Sequence, residues 1–333
     1  MNFERFLVTG GCGSIGRSLV KTLLESGHIV CSLDISEDGL FRQNNTFSKF
    51  YGSNYKPFLG DIRDKNRLNQ ALSNVDYVYH CAALKHVALC EYNPFEALKT
   101  NVVGTDNLIQ ACISAGVKKL VFASSDKAVN PSSTMGATKL LAEKLVISSN
   151  NYSGSSSFKA SSVRFGNVWG SNGSVGLIFK DQCDSHKALT VTSEEMTRFF
   201  ITDKKAIELC QFAMSSMYGG EIFIADMGVL NIYELAIAFT NYFSNSAGVE
   251  IIGCKPGEKL YEELYTETEA LDVGIFGGYH IIISKILQYQ DVNEYWAQTD
   301  GFQWKSDKIP LTSSCSNRKV DPYELCKLIE SQV

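Results

Sequence analysis

The first half of the chain alternates short apolar runs with stretches whose apolar residues recur at helical spacing. Residues 6–9 form a first predicted strand, after which Ile15, Leu19 and Leu23 fall on one helix face. Residues 29–33, 55–59 and 77–80 read as three further strands, and Asp64 is placed to cap a helix that runs to Leu72. A long helix is expected over 94–115, opened by Pro94 in its first turn and stopped before Gly116. Strands at 120–124 and 162–165 then flank a helix at 136–148. Alternation of this kind predicts an α/β fold: a doubly wound parallel sheet with helices on both faces.

The alternation lapses over the Gly- and Ser-rich stretch 166–196. It returns as a strand at 199–202, a helix at 204–217 and a strand at 221–225, and from Asn231 onward helices and loops mix. The expected organisation is a nucleotide-binding domain of residues 1–167 plus about 197–230. A smaller, mainly C-terminal lobe takes 168–196 and 231–333. Residues 153–157 read as a short exposed loop, and no internal repeat is present.

With 44% hydrophobic and 20% charged residues in 333, the chain has the make-up of a folded protein with a substantial core. The net charge of −5 is spread without a basic run, which argues against a nucleic-acid partner. Ten cysteines form no C-x-x-C pair, and the five histidines are scattered along the chain. These patterns suggest no metal site. Cysteines such as Cys31 and Cys112 read instead as small buried hydrophobes in a reducing compartment. The chain enters a strand directly after Met1-Asn2-Phe3-Glu4, with no signal segment and no apolar stretch near 20 residues, so a cytoplasmic protein is expected.

Candidate chemistry begins at Thr9-Gly10-Gly11-Cys12-Gly13-Ser14-Ile15-Gly16, between the first strand and the first helix. The glycines allow a tight turn and close approach to a pyrophosphate, which then rests on the helix N-terminus beside Ser14 and Ile15. The spacing fits G-x-G-x-x-G through Gly11, Gly13 and Gly16, and G-x-x-G-x-x-G through Gly10, Gly13 and Gly16. Asp34 ends the second strand where an acid would bind adenosine ribose hydroxyls; its charge favours NAD over NADP, although a plain strand-end cap is the alternative. Asp61 and Ile62, after the third strand, are candidates for the adenine edge or a simple turn.

Ser125, Asp126 and Lys127 close the fifth strand, at the sheet edge where such folds bind ligands. Met135 and Lys139 follow four residues apart on one helix face. In short-chain dehydrogenases that spacing holds a tyrosine and a lysine, and methionine cannot transfer a proton. A core methionine, and an exposed ion pair for Asp126–Lys127, are the plain alternatives.

The surrounding sequence resembles the UDP-N-acetylglucosamine 4,6-dehydratase family of bacterial polysaccharide biosynthesis, an extended short-chain dehydrogenase/reductase group. The resemblance lies in Ala83-Leu84-Lys85-His86-Val87, Glu91-Tyr92-Asn93-Pro94-Phe95-Glu96, Lys99-Thr100-Asn101-Val102 and Ser125-Asp126-Lys127-Ala128-Val129. It continues through Met135-Gly136-Ala137-Thr138-Lys139, Arg164-Phe165-Gly166-Asn167-Val168, Glu195-Met196-Thr197-Arg198-Phe199 and Pro256-Gly257-Glu258-Lys259. It runs in order from residue 6 to about 270, and some members of the family carry methionine at the position of Met135.

The resemblance implies a Rossmann-type domain binding NAD, with Ala82 at the cofactor and a C-terminal lobe for a nucleotide-sugar substrate. It implies hydride transfer from carbon 4 to NAD, loss of water across carbons 5 and 6, and hydride return to carbon 6. Asp126 would protonate the leaving hydroxyl, Lys127 would act at carbon 5, and Ser125, commonly threonine in the family, would bind the carbon 4 oxygen. Lys139 would hold the nicotinamide ribose; a water or Asp126 would serve the carbon 4 hydroxyl in place of the tyrosine. Lys127 can be a base near neutral pH only if burial or a neighbouring cation lowers its pKa. Lys85, Asn167, Lys180, Arg198, Lys255 and Glu258 are the implied substrate contacts, with Lys255 where the family usually has arginine. Glu221–Gly228 resembles the branch that retains configuration at carbon 5. A homodimer or higher homo-oligomer, through the helices at 94–115 and 136–148, is expected by analogy of fold. A 4-epimerase or reductase on the same scaffold, or a non-catalytic NAD-binding protein, are the competing readings.

Overall fold

β1 (Arg5–Thr9), buried over its last four residues, runs through the middle of a sheet with ten strands among the described residues. It pairs in parallel with β2 (Ile29–Asp34) on one side, outside which lies β3 (Tyr55–Leu59). On the other side stand β4 (Tyr77–His80), β5 (Lys119–Ala123) and β6 (Lys159–Arg164), also parallel. This computed structural model describes residues 4–152, 157–283, 290–316 and 318–330, so all but the last residue of the predicted 153–157 loop lies outside it. The order 3-2-1-4-5-6 reverses between β1 and β4, and the carboxyl ends of those strands open on the crevice where such sheets take their ligands.

Helical periodicity builds the two outer layers. α1 (Ser14–Glu25) buries Leu19, Val20, Leu23 and Leu24 against one face of the sheet. α2 (Glu37–Tyr51), absent from the sequence reading, starts on Ser36, whose Oγ accepts from the Gly39 amide at 3.1 Å. It turns Leu40, Gln43 and Phe47 inward. The opposite face is covered by α3 (Lys65–Ala71) and by two of the later helices. α4 (Val87–Tyr92) and α5 (Pro94–Leu98) precede a π-helical turn at Lys99–Val103, and α6 (Gly104–Ala115) follows it. The single long helix expected over 94–115 is therefore broken by a wider turn, within which Asn101 is buried. α6 ends on left-handed Gly116, and α7 (Thr134–Tyr152) lies beside it. Leu68, Leu108, Ile109, Cys112, Ala142 and Val146 form this second core, the leucine, isoleucine and valine side chains each contributing about 1.5–3 kcal/mol on burial.

β7 (Asn167–Val168) opens a second, smaller body. It contains α8 (Val175–Asp184) and β8 (Leu189–Val191), and β9 (Thr197–Ile201) pairs with β7. The chain then returns to the main sheet through α9 (Asp203–Ser216) and β10 (Glu221–Ala225), which runs parallel to β6. β11 (Gly228–Asn231) pairs with β9, so the stretch expected wholly in the nucleotide-binding domain is divided between two sheets. α10 (Ile232–Tyr242), capped by Asn231, and β12 (Val249–Ile251), paired with β8, complete this part of the lobe.

β13 (Glu263–Tyr265) and α11 (Glu267–Ala270) lead back across the molecule. β14 (Val273–Phe276), β15 (Tyr279–Ile283) and β16 (Gln303–Trp304) then extend the main sheet antiparallel beyond β10. Residues 273–283 thus leave the lobe to which the sequence reading assigned them. All five residues of β10 are buried, which requires a strand partner on its far edge, and β15 supplies it. α12 (Gln290–Gln298) sets Trp296 under this extension, its Nε1 donating to Glu221 Oε1 at 3.0 Å. α13 (Pro322–Glu330) closes the lobe with Leu325 and Ile329 against Trp169, Phe179, Phe200 and Phe239. Among the described residues no helix is long and apolar enough to cross a membrane.

Candidate active site

The glycine turn after β1 has no room for side chains. Gly10 takes φ +66°, and a Cβ there would lie 2.7 Å from the Ala82 amide nitrogen at the end of β4. A Cβ on Gly16 would lie 2.1 Å from the Gly10 carbonyl oxygen, and the Gly13 amide donates to that same oxygen at 3.0 Å. No side chain caps α1 at Gly13, so its first-turn amides point at the crevice without an internal acceptor. Gln43 of α2, buried and unforeseen, donates from Nε2 to the Gly11 carbonyl at 2.6 Å. Its Oε1 accepts from the Ser32 and Tyr55 hydroxyls.

Asp34 accepts from the Cys12 amide at 2.9 Å on Oδ2 and from the Ser36 amide at 2.9 Å on Oδ1. Burial, reinforced by Asp34, pushes the Cys12 thiol up to about 12 and keeps it neutral within the turn. The crowded turn, the uncapped helix and a carboxylate at the tip of β2 fit an adenine dinucleotide held by its pyrophosphate and ribose. Asp61 has a different environment: Arg63 binds it through backbone and guanidinium and holds its carboxyl below the ordinary range. Ile62 is buried beside Gly104, and Ile15 packs on the core under α1.

At the end of β5, Asp126 is fully buried. Its Oδ1 accepts from Ser125 Oγ at 2.8 Å and from Lys127 Nζ at 3.0 Å, and its Oδ2 has no partner. Lys127 Nζ also donates to Asn167 Oδ1 at 3.3 Å and stands 3.7 Å from Glu262 Oε1. Burial and Arg198 work against the Lys127 charge, but Asp126 and Glu262 outweigh them, and its pKa rises. The lowering expected for a lysine base is therefore not built into the resting site. Lys139, one helical turn after buried Met135, is the lysine that is lowered: burial brings it to about 8. Its Nζ donates to the Ala123 carbonyl at 2.8 Å, 4.5 Å from the Phe122 ring centre. Met135 packs on Cys90 and Ala97. The π-helical turn directs Asn101 onto the Leu84 amide and carbonyl and the Thr138 hydroxyl, which fixes the segment after β4 against α7.

Lys127 and Asn167 face a cavity of about 280 Å³ between the two bodies. Arg198, Lys255, Lys259, Glu258 and Glu262 line it together with apolar Val87, Val191, Met196 and Ile252. Two of the expected substrate residues are elsewhere. Lys180 pairs with Asp184 on its own helix and lies 5.1 Å from the Phe243 ring centre. Exposed Lys85 donates to the Asn172 carbonyl at 2.7 Å, while the Asn172 amide donates to Ser14 Oγ at 3.0 Å. Arg198 does reach the cavity wall, but it spends donors on the carbonyls of Thr197, Lys259 and Leu260, and so clasps the 259–262 segment. Glu262, which the sequence reading did not single out, sits among Lys127, Arg198 and Lys259 with 3% of its side chain exposed.

A glycine turn on β1 in a 3-2-1-4-5-6 sheet, with a Ser-Asp-Lys strip at the end of β5 and a second lobe over it, defines an extended short-chain dehydrogenase/reductase of the Rossmann type. The chain belongs to the family described as polysaccharide biosynthesis protein, whose model matches residues 6–283. It is 38% identical to a UDP-N-acetylglucosamine 4,6-dehydratase (inverting) of Campylobacter jejuni, over 94% of this chain and 95% of that one. It is 46% identical to an uncharacterized membrane protein of Methanocaldococcus jannaschii, over 80% of this chain and 81% of the relative. The same region matches a UDP-glucose 4-epimerase of Rickettsia rickettsii at 36% identity, over 80% of this chain and 79% of the epimerase. The X-ray structure of Pen from Bacillus thuringiensis superposes with a TM-score of 0.90 at 38% identity, covering 100% of this chain and 99% of that one.

Proposed function

We infer that the protein is a nucleotide-sugar 4,6-dehydratase. In this reading it binds NAD and converts a UDP-activated N-acetylhexosamine, UDP-N-acetylglucosamine in the first place, to the 4-keto-6-deoxy sugar for surface glycan synthesis. The observation that carries this reading is the buried Asp126–Lys127 pair, 3.0 Å apart and facing the cavity through Lys127. NAD, when bound, supplies both the oxidising and the reducing equivalents, so the reaction has no net redox change.

The pair shares the single proton that the dehydration needs. Shifting it from Lys127 Nζ to Asp126 Oδ1 along their hydrogen bond leaves a neutral amine beside a carboxylic acid. The amine takes the proton from carbon 5, and the acid protonates the hydroxyl leaving carbon 6. Water departs, and the pair is again ammonium and carboxylate. Ser125 Oγ holds the carbon 4 oxygen, and Lys139, with its pKa near 8, holds the nicotinamide ribose and accepts charge near neutral pH. On the substrate side Lys255 and Lys259 meet the diphosphate, with Asn167 and Glu258 on the sugar and ribose hydroxyls. Buried Met135 supplies no proton, which favours dehydration over 4-epimerisation by a tyrosine.

We place the reaction in the cytoplasm, where ten free thiols fit a reducing compartment. A homodimer is proposed through the exposed apolar residues Leu89, Tyr92, Phe95 and Leu141 of α4, α5 and α7. Retention at carbon 5 is our reading of the Glu221–Gly228 stretch, against the inverting designation of the Campylobacter relative. The test is incubation with UDP-N-acetylglucosamine in deuterated water, read by NMR and mass spectrometry. Loss of one water with deuterium at carbon 5 supports dehydration, and proton couplings then give the stereochemistry. Inversion at carbon 4 without water loss would make it an epimerase. An unchanged sugar with NAD still bound would make it a non-catalytic binder of the cofactor.

A further inference from the structure

Glu262 is a carboxylate placed at considerable cost. Its side chain is 3% exposed, and among the described residues Oε2 has no hydrogen-bond partner and no cation comes within hydrogen-bonding distance. Lys127 Nζ is 3.7 Å from Oε1, Arg198 Nε is 3.9 Å from Oε1, and Lys259 Nζ is 3.9 Å from Oε2. Its backbone is fixed from both sides by one residue: Ser313 Oγ accepts from the Glu262 amide at 2.9 Å, and the Ser313 amide donates to the Glu262 carbonyl at 2.8 Å. A buried carboxylate with an unsatisfied oxygen is destabilising, so a chain that holds one rigidly beside a reactive lysine has a use for it.

We propose that Glu262 is a positioning residue that governs when Lys127 gives up its proton, an assignment that rests on the dehydratase reading for its purpose but not for its measurement. The groups that face the pair are Asp126 on the turn after β5, Arg198 on β9, and Lys259 on the segment entering the cavity. Lys255 and Glu258 line the same space. Asp126 and Glu262 together keep Lys127 an ammonium, while Arg198 opposes them. Burial pushes the Glu262 carboxyl upward against Lys127, so a proton on Glu262 removes one of the two anions that hold the Lys127 charge. With Glu262 neutral, the shift of the proton from Lys127 to Asp126 becomes easier. The carbon 5 base is then released at a lower pH.

The experiment is competitive acetylation of the purified protein with acetic anhydride across pH 6–11, with Lys127 modification read by peptide mass spectrometry. It reports the pH at which the amine becomes neutral and requires no turnover. Replacing the nearby anion in Glu262→Gln is expected to lower the Lys127 midpoint by about one unit or more. Glu262→Asp keeps the charge one methylene further back and is expected to lower it less. Circular dichroism and bound NAD check that each variant is folded, and either variant alone suffices for the comparison. If turnover is present, the low-pH limb of kcat in Glu262→Gln moves in the same direction with a smaller change in KM. Unchanged labelling midpoints in folded variants would overturn the proposal, whatever the activity. A lowered midpoint in a protein that never dehydrates UDP-N-acetylglucosamine would leave Glu262's hold on Lys127 in place and remove only the dehydratase reading.

Discussion

His80 makes the fold sensitive to acid, and the size of the effect follows from its surroundings. The ring is fully buried at the end of β4, with Nδ1 2.7 Å from Thr9 Oγ1 and Nε2 2.9 Å from Thr105 Oγ1. Thr105 donates its own hydroxyl proton to the Asn101 carbonyl at 2.6 Å, so it accepts from His80 and Nε2 carries the hydrogen. Nδ1 is then an acceptor for Thr9, whose oxygen also accepts from the Ala82 amide at 3.3 Å. A second ring proton would leave two donors facing each other. Burial first, and the Lys139 charge second, lower the His80 pKa to about 3. The unfolded chain takes up a proton below pH 6.5 and the native chain does not, so stability falls as pH drops from 6.5 towards 3. At pH 4.5 the loss from this one ring is about 2.7 kcal/mol, two units at about 1.36 kcal/mol each. His280, lowered to about 4, and the depressed carboxyls of Asp61 and Glu269 act with the same sign. The measurement is therefore a difference: urea unfolding of the wild type and of His80→Asn at pH 7 and pH 4.5. The variant is expected to be less stable at pH 7, with the gap narrowing by about 2.7 kcal/mol at pH 4.5. A gap that stays constant between the two pH values would refute the account.

Three further outcomes are expected. Gly16→Ala sets a Cβ 2.1 Å from the Gly10 carbonyl, and the resulting shift of the cradle should weaken NAD about tenfold to a hundredfold by calorimetric titration. Asp34→Ser removes the charge at the tip of β2 along with its grip on the Cys12 amide, so the ratio of NAD to NADP affinity should fall about tenfold in a fluorescence titration. Arg164→Leu leaves Glu143, fully buried and bound to Arg164 Nε at 2.9 Å, without a partner, and should cost about 3–5 kcal/mol in chemical denaturation.

The parts of the molecule legible in the sequence are those in which local spacing carries the information. β1, the glycine turn, α1 and the parallel strands to β6 follow from apolar periodicity and from backbone positions that accept only glycine, such as Gly10 at positive φ. The placement of Asp126 and Lys127 at the end of β5 was legible because strand ends in this fold face the ligand crevice. What escaped depends on contacts between distant segments. The extension of the sheet by β14 and β15 is decided by the free edge of β10, some 50 residues upstream, and no local pattern announces it. Gln43 and Glu262 carry no local sequence signal, and only folding puts one under the glycine turn and the other between three cations. Lys180 lies apart from the cavity lining for the opposite reason: Asp184 one turn on satisfies it locally.

The same dependence on distant contacts produces a charged network that, beside the apolar core, ties α11 and β13 to the sheet. Arg164 at the end of β6 is 1% exposed, and its guanidinium holds Glu143 of α7 on one side. On the other it holds Glu269 of α11, with Nη1 also donating to the Leu264 carbonyl of β13 at 3.1 Å. Apolar residues of similar volume would serve stability as well or better, because desolvating three charged groups offsets most of their attraction. They would not fix register, since apolar contacts tolerate a slide of an ångström at little cost, whereas a fork with both carboxylates engaged does not. The two elements so fixed carry the residues on which the chemistry proposed here depends. α7 brings Lys139 to the Ala123 carbonyl, and the segment entering β13 brings Glu262 to within 3.7 Å of Lys127. A slip of one ångström between helix and segment, from 3.7 to 4.7 Å, would weaken the charge interaction by about a fifth, a smaller change of the same sign as removing the carboxylate. We propose that Arg164, from outside it, holds the distances at the proposed catalytic strip.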